Sequence, residues 1–537
     1  MQARCPGAAA KLETRNEALI NPLKFGRPSL IRNLMKPAAF PHRVEKIRLV
    51  ETHISWVLLT GSDAYKIKKP VNLGFLDFSS LEDRRHFCEE EVRINRRTAS
   101  DLYLGVVPIG QTPHGPRFGA EPPIEFAVHM RQFPHEARLD RYLQAGRLGA
   151  ESTRQLAQSI ARFHLTLPPR LDSDPDFEVE RAVRPARNNF KHLDPQAFSD
   201  EAQQRLAVIE AWTLARSIAL APAFRTRARS GAVRECHGDL HLENLLLLDR
   251  GFVPFDAIEF NPNLRWIDIA NDIAFLAMDL LARRRSDLAY SLLSAWLEAN
   301  GDYASLEVMR FYLVYRSMVR AVVSAIRASQ AVETAADSAR PGAERYVKIA
   351  ADLVDTPTPI LILMHGFSGS GKTWFSNRLV ASLPALRVRS DLERKRPNGD
   401  RGRQPEKGGI GVGMYGSEAV DLTYRRLADH CRTGLRAGFN MIADGTFLQR
   451  RHRLWFVDLA RSLGVRCYLL DCTAPEQVLR NRIRSRMETR KDASDADQAV
   501  LDFQLSHHDP LSQAEGMTVI TLPHDSDPNQ ILRELFD

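Results

Sequence analysis

Residues 360–380 read ILILMHGFSGSGKTWFSNRLV and constrain the chain more than any other stretch. Ile360 to Leu363 are apolar and, with Met364 and His365, predict a short buried strand. Gly366, Phe367, Ser368, Gly369, Ser370, Gly371, Lys372 and Thr373 follow and satisfy G-x-x-x-x-G-K-[ST] at every fixed position. Helical spacing then places Phe375, Leu379 and Val380 on one face. Strand, glycine loop and helix in that order form a phosphate cradle: glycines let backbone N–H groups close on phosphate oxygens at a helix N-terminus. Lys372 supplies a point charge to the β- and γ-phosphates, and the Thr373 hydroxyl suits Mg²⁺. The expected ligand is ATP with Mg²⁺.

At 537 residues the chain exceeds one ordinary core, so two or three domains are expected. A hydrophobic share of 44% and a charged share of 26% match a soluble globular protein. The cysteines at 5, 88, 236, 431, 467 and 472 show no paired metal spacing and demand no oxidising compartment. No stretch reaches the apolar length of a membrane span, and the start lacks an apolar signal core, so a cytoplasmic protein without membrane partners is expected. A net charge of +8 suits phosphate-bearing ligands but does not by itself indicate nucleic acid.

Residues 1–40 are polar and unpatterned and are expected to form a loosely ordered lead-in. Residues 41–354 are expected as one domain, 355–359 (Asp-Thr-Pro-Thr-Pro) as a linker, and 360–537 as a second domain. In the first, Ile54, Trp56 and Leu58 alternate, a turn follows at 60–63, and Ala64 to Lys68 alternate again, putting Lys66 and Lys68 on one strand face. Residues 81–97 read as a helix, 104–109 and 124–132 as strands, and helices prevail from about Ser152. Residues 165–200, rich in Pro, Asp and Arg, form either an irregular loop or a substrate-facing insert. Leu306, Met309, Tyr312 and Leu313 have the spacing of a core-facing helix.

Residues 235–260, ECHGDLHLENLLLLDRGFVPFDAIEF, carry the densest chemistry of the first half. Asp239 lies in a polar loop, Asn244 follows five residues on, and Asp256 ends the return strand of a hairpin. In a phosphotransferase loop of this shape Asp239 accepts the proton of the acceptor hydroxyl, while Asn244 and Asp256 offer the hard oxygens that Mg²⁺ prefers.

HGDLHLENLLL followed by FDAIEF resembles the catalytic loop of aminoglycoside phosphotransferase-like kinases, relatives of the protein kinases. The resemblance implies a small nucleotide lobe followed by a helical lobe, with Asp239 catalytic and Asn244 and Asp256 as metal ligands. It implies a structural role for Asp272 in WIDIANDIAFLAMDL. Lys66, with Lys68 second, fits the strand lysine that meets nucleotide phosphates, and Glu91 fits its partner, with Glu89 and Glu90 adjacent and an exposed helix charge as the alternative for each. The small lobe departs from the pattern, having no G-x-G-x-x-G loop before AYKIKK.

In the C-terminal domain, residues 385–389 read as a strand that delivers Asp391 to meet an acceptor hydroxyl; capping the helix that follows is the alternative role. Small P-loop kinases often carry Asp there. Residues 394–416 are basic and glycine-rich, either a solvated loop or a substrate clamp. Asp444 ends a Walker-B-like strand and can hold Mg²⁺ through water; a turn aspartate closing a buried strand is the alternative. Arg482 and Arg486, four apart, share a helix face from which they could neutralise phosphate charge; plain exposure is the alternative.

Together the halves resemble a bacterial bifunctional protein with an aminoglycoside phosphotransferase-like domain and a P-loop ATP-binding domain of the AAA ATPase or kinase type. The expected architecture is an α+β protein-kinase-like domain followed by an α/β P-loop NTPase domain with a parallel sheet. The expected reaction is transfer of the γ-phosphoryl group of ATP to a hydroxyl of a small molecule. Two rivals are a nucleic-acid end kinase or repair factor, disfavoured because residues 387–407 lack interleaved aromatics, and a P-loop enzyme regulated by a non-catalytic kinase-like module. The acceptor and the oligomeric state are not legible in the sequence.

Overall fold

Alternation over Asp63–Lys68 sets the architecture of the first half. The computed structural model describes residues 29–72, 74, 76–330, 333–396, 417–489 and 497–524. Residues 1–28 of the expected lead-in and most of the basic segment lie outside the described residues. The chain divides into two compact units, neither continuous in sequence: 1–144 with 237–266 and 326–337, and 145–236 with 267–325 and 338–537.

The first unit holds a six-stranded sheet of β1 (Arg48–Glu51), β2 (Ser55–Leu59), β3 (Asp63–Lys68), β4 (Tyr103–Thr112), β5 (Gly115–Phe118) and β6 (Pro123–Arg131). Its order is β1-β2-β3-β6-β4-β5, with antiparallel pairing throughout. Odd positions of β3, Tyr65 and Ile67, join Trp56 and Leu58 in a core against Ile31, Leu34 and Phe40. Residues 29–40 are therefore folded rather than loose; apolar residues too sparse to show a period anchor a short helix, Ser29–Leu34, on the sheet. On the other face Ala64 packs with Cys88 and Val92 of the Leu81–Ala99 helix. Ser80 caps that helix, accepting from the Asp83 N–H at 3.0 Å. The catalytic-type loop and its hairpin, Leu245–Leu248 with Gly251–Pro254, complete the unit.

The second unit contains the helical lobe and a five-stranded sheet. Residues 165–200 are not an irregular loop throughout: Pro175–Asn188 is a helix, capped by Asp174 and opened by Pro175. The Asp-Pro pair that suggested a loop is a helix start, where a missing N–H costs nothing. Leu306, Met309, Tyr312 and Leu313 are buried. The sheet comprises β7 (Ile360–His365), β8 (Ala385–Arg389), β9 (Asn440–Asp444), β10 (Arg466–Thr473) and β11 (Thr518–Pro523), ordered β8-β9-β7-β10-β11 and parallel at every pair. β7 is buried at every position, as a central parallel strand requires. The fold is that of a protein-kinase-like α+β part followed by an α/β P-loop domain. Among the described residues no single helix is long and apolar enough to cross a membrane.

Candidate active site

The second unit's site begins where β7 ends. Gly366, Gly369 and Gly371 all have positive φ, at 130°, 85° and 101°, so the loop turns back before the Lys372–Ser382 helix. Lys372 Nζ donates to the Phe367 carbonyl at 2.7 Å. The Gln504 side chain accepts from the Ser368 N–H at 2.9 Å and steadies the loop's first turn. β9 brings in Asp444, 5% exposed, whose Oδ2 accepts from the Ser376 hydroxyl at 2.8 Å. Oδ1 of Asp444 has no hydrogen bond among the described residues. β8 leads into the Ser390–Lys395 helix, where Arg389 holds the cap position. Asp391 is thus inside the helix rather than its cap, and its Oδ1 accepts from Arg394 at 2.8 Å.

These groups share one cavity of about 570 Å³, lined by Lys372, Thr373, Asp391, Asp444 and Arg482 among others. Arg482 donates to the Gly369 carbonyl at 3.2 Å, beside the phosphate loop. Arg486 belongs to the same Glu476–Thr489 helix, and its side chain lies outside the described residues. The donor set, one ammonium, one hydroxyl at a helix start and two carboxylates, fits a nucleoside triphosphate with a hard divalent cation. Sequence reasoning did not single out two cavity cations, Arg389 and Arg451, whereas Arg394 opens the basic segment expected as a loop or clamp and lies instead in the Ser390–Lys395 helix. Arg451 pairs with Asp421 at 2.9 Å, a contact across elements that no local pattern announces.

In the first unit, Lys66 and Lys68 project from β3 toward the helix, and both reach Glu91. Lys66 Nζ donates to Glu91 Oε1 at 2.8 Å and to Asp256 Oδ1 at 2.6 Å. Lys68 Nζ donates to Glu91 Oε2 at 2.8 Å and also to Glu259, which the sequence reading had not singled out. Burial pushes the Glu91 carboxyl up, but the Lys66 and Lys68 ammonium groups overcome it and leave it at about 2. Burial raises Glu259, and its pairing with Lys68 only partly offsets this. Desolvation would lower Lys66, yet Asp256 and Glu91 hold it well above the ordinary lysine value.

The loop residues converge on the same place. Asn244 Nδ2 donates to Asp239 Oδ2 at 2.9 Å and to the Asp239 carbonyl at 3.0 Å. His237 meets the Phe255 carbonyl at 2.9 Å and ties the loop to the end of the hairpin. Asp256 has φ +60°, the left-handed region that non-glycine residues avoid, and its N–H donates to the Tyr103 hydroxyl at 3.0 Å. Strain of this kind gathers where a side chain must be aimed. Two groups therefore lie within the unit, Asp239 with Asn244 and Lys66 with Glu91 and Asp256, and the Phe255 N–H ties them by donating to the Asn244 carbonyl at 3.0 Å. Asp272, in the second unit, is fully buried and pairs with His164 Nε2 at 3.1 Å.

Residues 361–511 match the family described as AAA domain. A Plasmodium vivax ethanolamine kinase is similar over 57% of this chain and 81% of its own, at 9% identity and a TM-score of 0.35. A gluconokinase from Sinorhizobium meliloti 1021 covers 33% of this chain and 89% of its own, at 17% identity and a TM-score of 0.23. An uncharacterized protein of Mycobacterium tuberculosis H37Rv is 30% identical over 449 residues, which is 83% of this chain and 87% of that protein. With identity at that level across most of both sequences, the chain belongs to the family of this mycobacterial protein.

Proposed function

We propose that the P-loop domain is an ATP-dependent kinase acting on the hydroxyl of a small molecule. The observation that carries the reading is the arrival of Lys372, Asp391 and Asp444, from three separate strand ends, in one cavity. Parallel sheets place ligands at the carboxyl ends of their strands, where residues from different elements meet. The P-loop amides and Lys372 hold the triphosphate and neutralise charge as it grows on the leaving ADP. A bound Mg²⁺ supplies further charge neutralisation at the phosphates, and Thr373 and Asp444 are the residues that would hold it. The acceptor oxygen attacks the γ-phosphorus, the bond to the β-phosphate oxygen breaks, and Asp391 takes the acceptor's proton. Arg394 fixes the direction of that carboxylate. Arg482, beside the loop, adds positive charge to the phosphate side. Arg389, Arg394 and Arg451 suit an acceptor that itself carries negative charge.

A second phosphotransfer site in the kinase-like part is favoured by the bridge that Lys66 makes between Glu91 and Asp256. There Asp239 is the base, Asn244 and Asp256 are the metal-holding residues, and Lys66 meets the phosphates. ATP turnover with a panel of hydroxyl acceptors, run on wild type, Lys372→Ala and Asp239→Ala, tests both. Separable losses indicate two activities. Loss with Lys372→Ala alone makes the kinase-like part a binding or regulatory module. If neither variant changes turnover, both readings fail. Salt-dependent binding of DNA or RNA would instead favour a nucleic-acid substrate.

A further inference from the structure

A continuous buried relay links the helical lobe to the P-loop within the second unit. It starts at Glu298, near the end of the Ser286–Asn300 helix. Glu298 Oε1 accepts from Arg387 Nε at 2.8 Å. Arg387, on β8 and 4% exposed, donates through Nη1 to the Ser376 hydroxyl at 2.9 Å and to Asn377 Oδ1 at 2.7 Å. Ser376, fully buried and one turn beyond Thr373, donates in turn to Asp444 Oδ2 at 2.8 Å. The backbone of Arg387 is held from the same lobe: its N–H donates to Ser294 Oγ at 3.2 Å and its carbonyl accepts from the Tyr303 hydroxyl at 3.2 Å.

We propose that Glu298 is a positioning residue for the P-loop site, acting through Arg387 and Ser376 to fix the rotamer of Asp444. This deepens, and rests on, the reading of the P-loop domain as a kinase in which Asp444 holds a divalent cation. The physical reasoning is about degeneracy. A buried arginine without its carboxylate seeks another, and Asp444 is the nearest acid on the far side of Ser376. With Glu298 in place, Arg387 is saturated on the lobe side and presents Nη1 to Ser376. The hydroxyl's proton then points to Asp444 Oδ2, leaving Oδ1 for the cation. A carboxylate held this way meets the cation without reorganising, whereas a freed arginine would compete for it.

The test uses the full chain with AMP-PNP bound and Mn²⁺ as the probe cation, titrated by the EPR signal of free Mn²⁺. Glu298→Gln and Ser376→Ala are each expected to weaken Mn²⁺ binding about tenfold while AMP-PNP affinity without metal changes less than threefold. Ser294→Ala, which removes the hydroxyl that accepts from the Arg387 backbone N–H but leaves both guanidinium contacts of the relay in place, is expected to leave Mn²⁺ affinity unchanged. If Glu298→Gln does not fold, Ser376→Ala decides, since it removes only one hydroxyl. Unchanged Mn²⁺ affinity in the folded relay variants, or equal weakening in Ser294→Ala, overturns the proposal while leaving the kinase reading intact. Failure of the wild type to bind AMP-PNP, or a Lys372→Ala protein that keeps every AMP-PNP site of the wild type, overturns the kinase reading and the proposal with it.

Discussion

Lys68 Nζ donates to Glu91 Oε2 at 2.8 Å, while the other oxygen of the same carboxylate takes Lys66, two residues earlier on one strand face. One glutamate thus fixes both lysines, but their surroundings differ. Lys68 is the more buried and pairs again with Glu259, whereas Lys66 pairs with Asp256 beside the catalytic-type loop. Lys68→Met is expected to destabilise the protein by about 3–5 kcal/mol, the cost of stranding buried carboxylates. Lys66→Met, which leaves Glu91 its other partner, should cost less stability and instead weaken nucleotide binding in the kinase-like part. Urea unfolding beside nucleotide titration of a Lys372→Ala background separates the two effects.

Acid stability follows from the same cluster. The folded-state value of Glu91, about 2, lies below the ordinary 4.5, so its contribution is present above about pH 4.5 and is lost as the pH falls toward 2. The contribution is on the order of 3 kcal/mol, from the size of that shift. Glu259 is raised, which has the opposite sign: its contribution is present below its unfolded value and is lost as the pH rises. Glu91→Gln is therefore expected to flatten the loss of stability between pH 4.5 and 3, and Glu259→Gln to leave that loss in place. Urea midpoints measured at intervals across this range check both signs.

Much of this was readable because the decisive signals were local. The P-loop is eight consecutive residues, and β3 shows its two faces by simple alternation, so Lys66 and Lys68 could be put on one face before any coordinates, whereas Glu91 was singled out only by the resemblance. Arg387 shows what was not readable. It sits at the middle of a five-residue strand that also ends in an arginine and looks like any charged strand residue, yet it is buried because Glu298, 89 residues away, compensates it. Arg451 and Glu259 have the same character: each acquires meaning from a partner distant in sequence. Pro175 failed for a different reason, since proline marks both loops and helix starts, and only the cap at Asp174 distinguishes them. β11 escaped notice because its partner β10 supplies the order that its own mostly exposed residues do not.

Charge in the P-loop cavity predicts the acceptor. Arg389, Arg394 and Arg451 line it beyond the residues assigned to the triphosphate. Among acceptors matched in size, those with a carboxylate or phosphate beside the hydroxyl are expected to raise ATP turnover, and their neutral counterparts to do so at least tenfold less. Arg451→Gln should raise KM for the charged acceptor about tenfold, a change of about 1.4 kcal/mol, with little effect on KM for ATP. Equal turnover of charged and neutral acceptors would assign these arginines to the nucleotide instead.

The glycines of the P-loop give the last prediction, because they differ in what surrounds them. Gly366 has φ +130°, and a Cβ there would lie 2.4 Å from the Cys472 carbonyl oxygen and 2.8 Å from Ser370 Oγ. The first of these is backbone of β10, which is paired on both sides and cannot yield without breaking the sheet. Gly464, with φ +66°, ends the Arg450–Leu463 helix in open space. Gly464→Ala therefore carries only the left-handed backbone penalty, roughly 1 kcal/mol. Gly366→Ala adds a backbone clash and is expected to cost about 3 kcal/mol in all. The strain enters at the first residue of the phosphate loop, so AMP-PNP affinity should fall with it, whereas Gly464→Ala should bind AMP-PNP as wild type does. Denaturant midpoints and nucleotide titrations on the two variants decide the matter: a Gly366→Ala protein as stable and as tight-binding as Gly464→Ala would mean that the loop is not held against β10 as described.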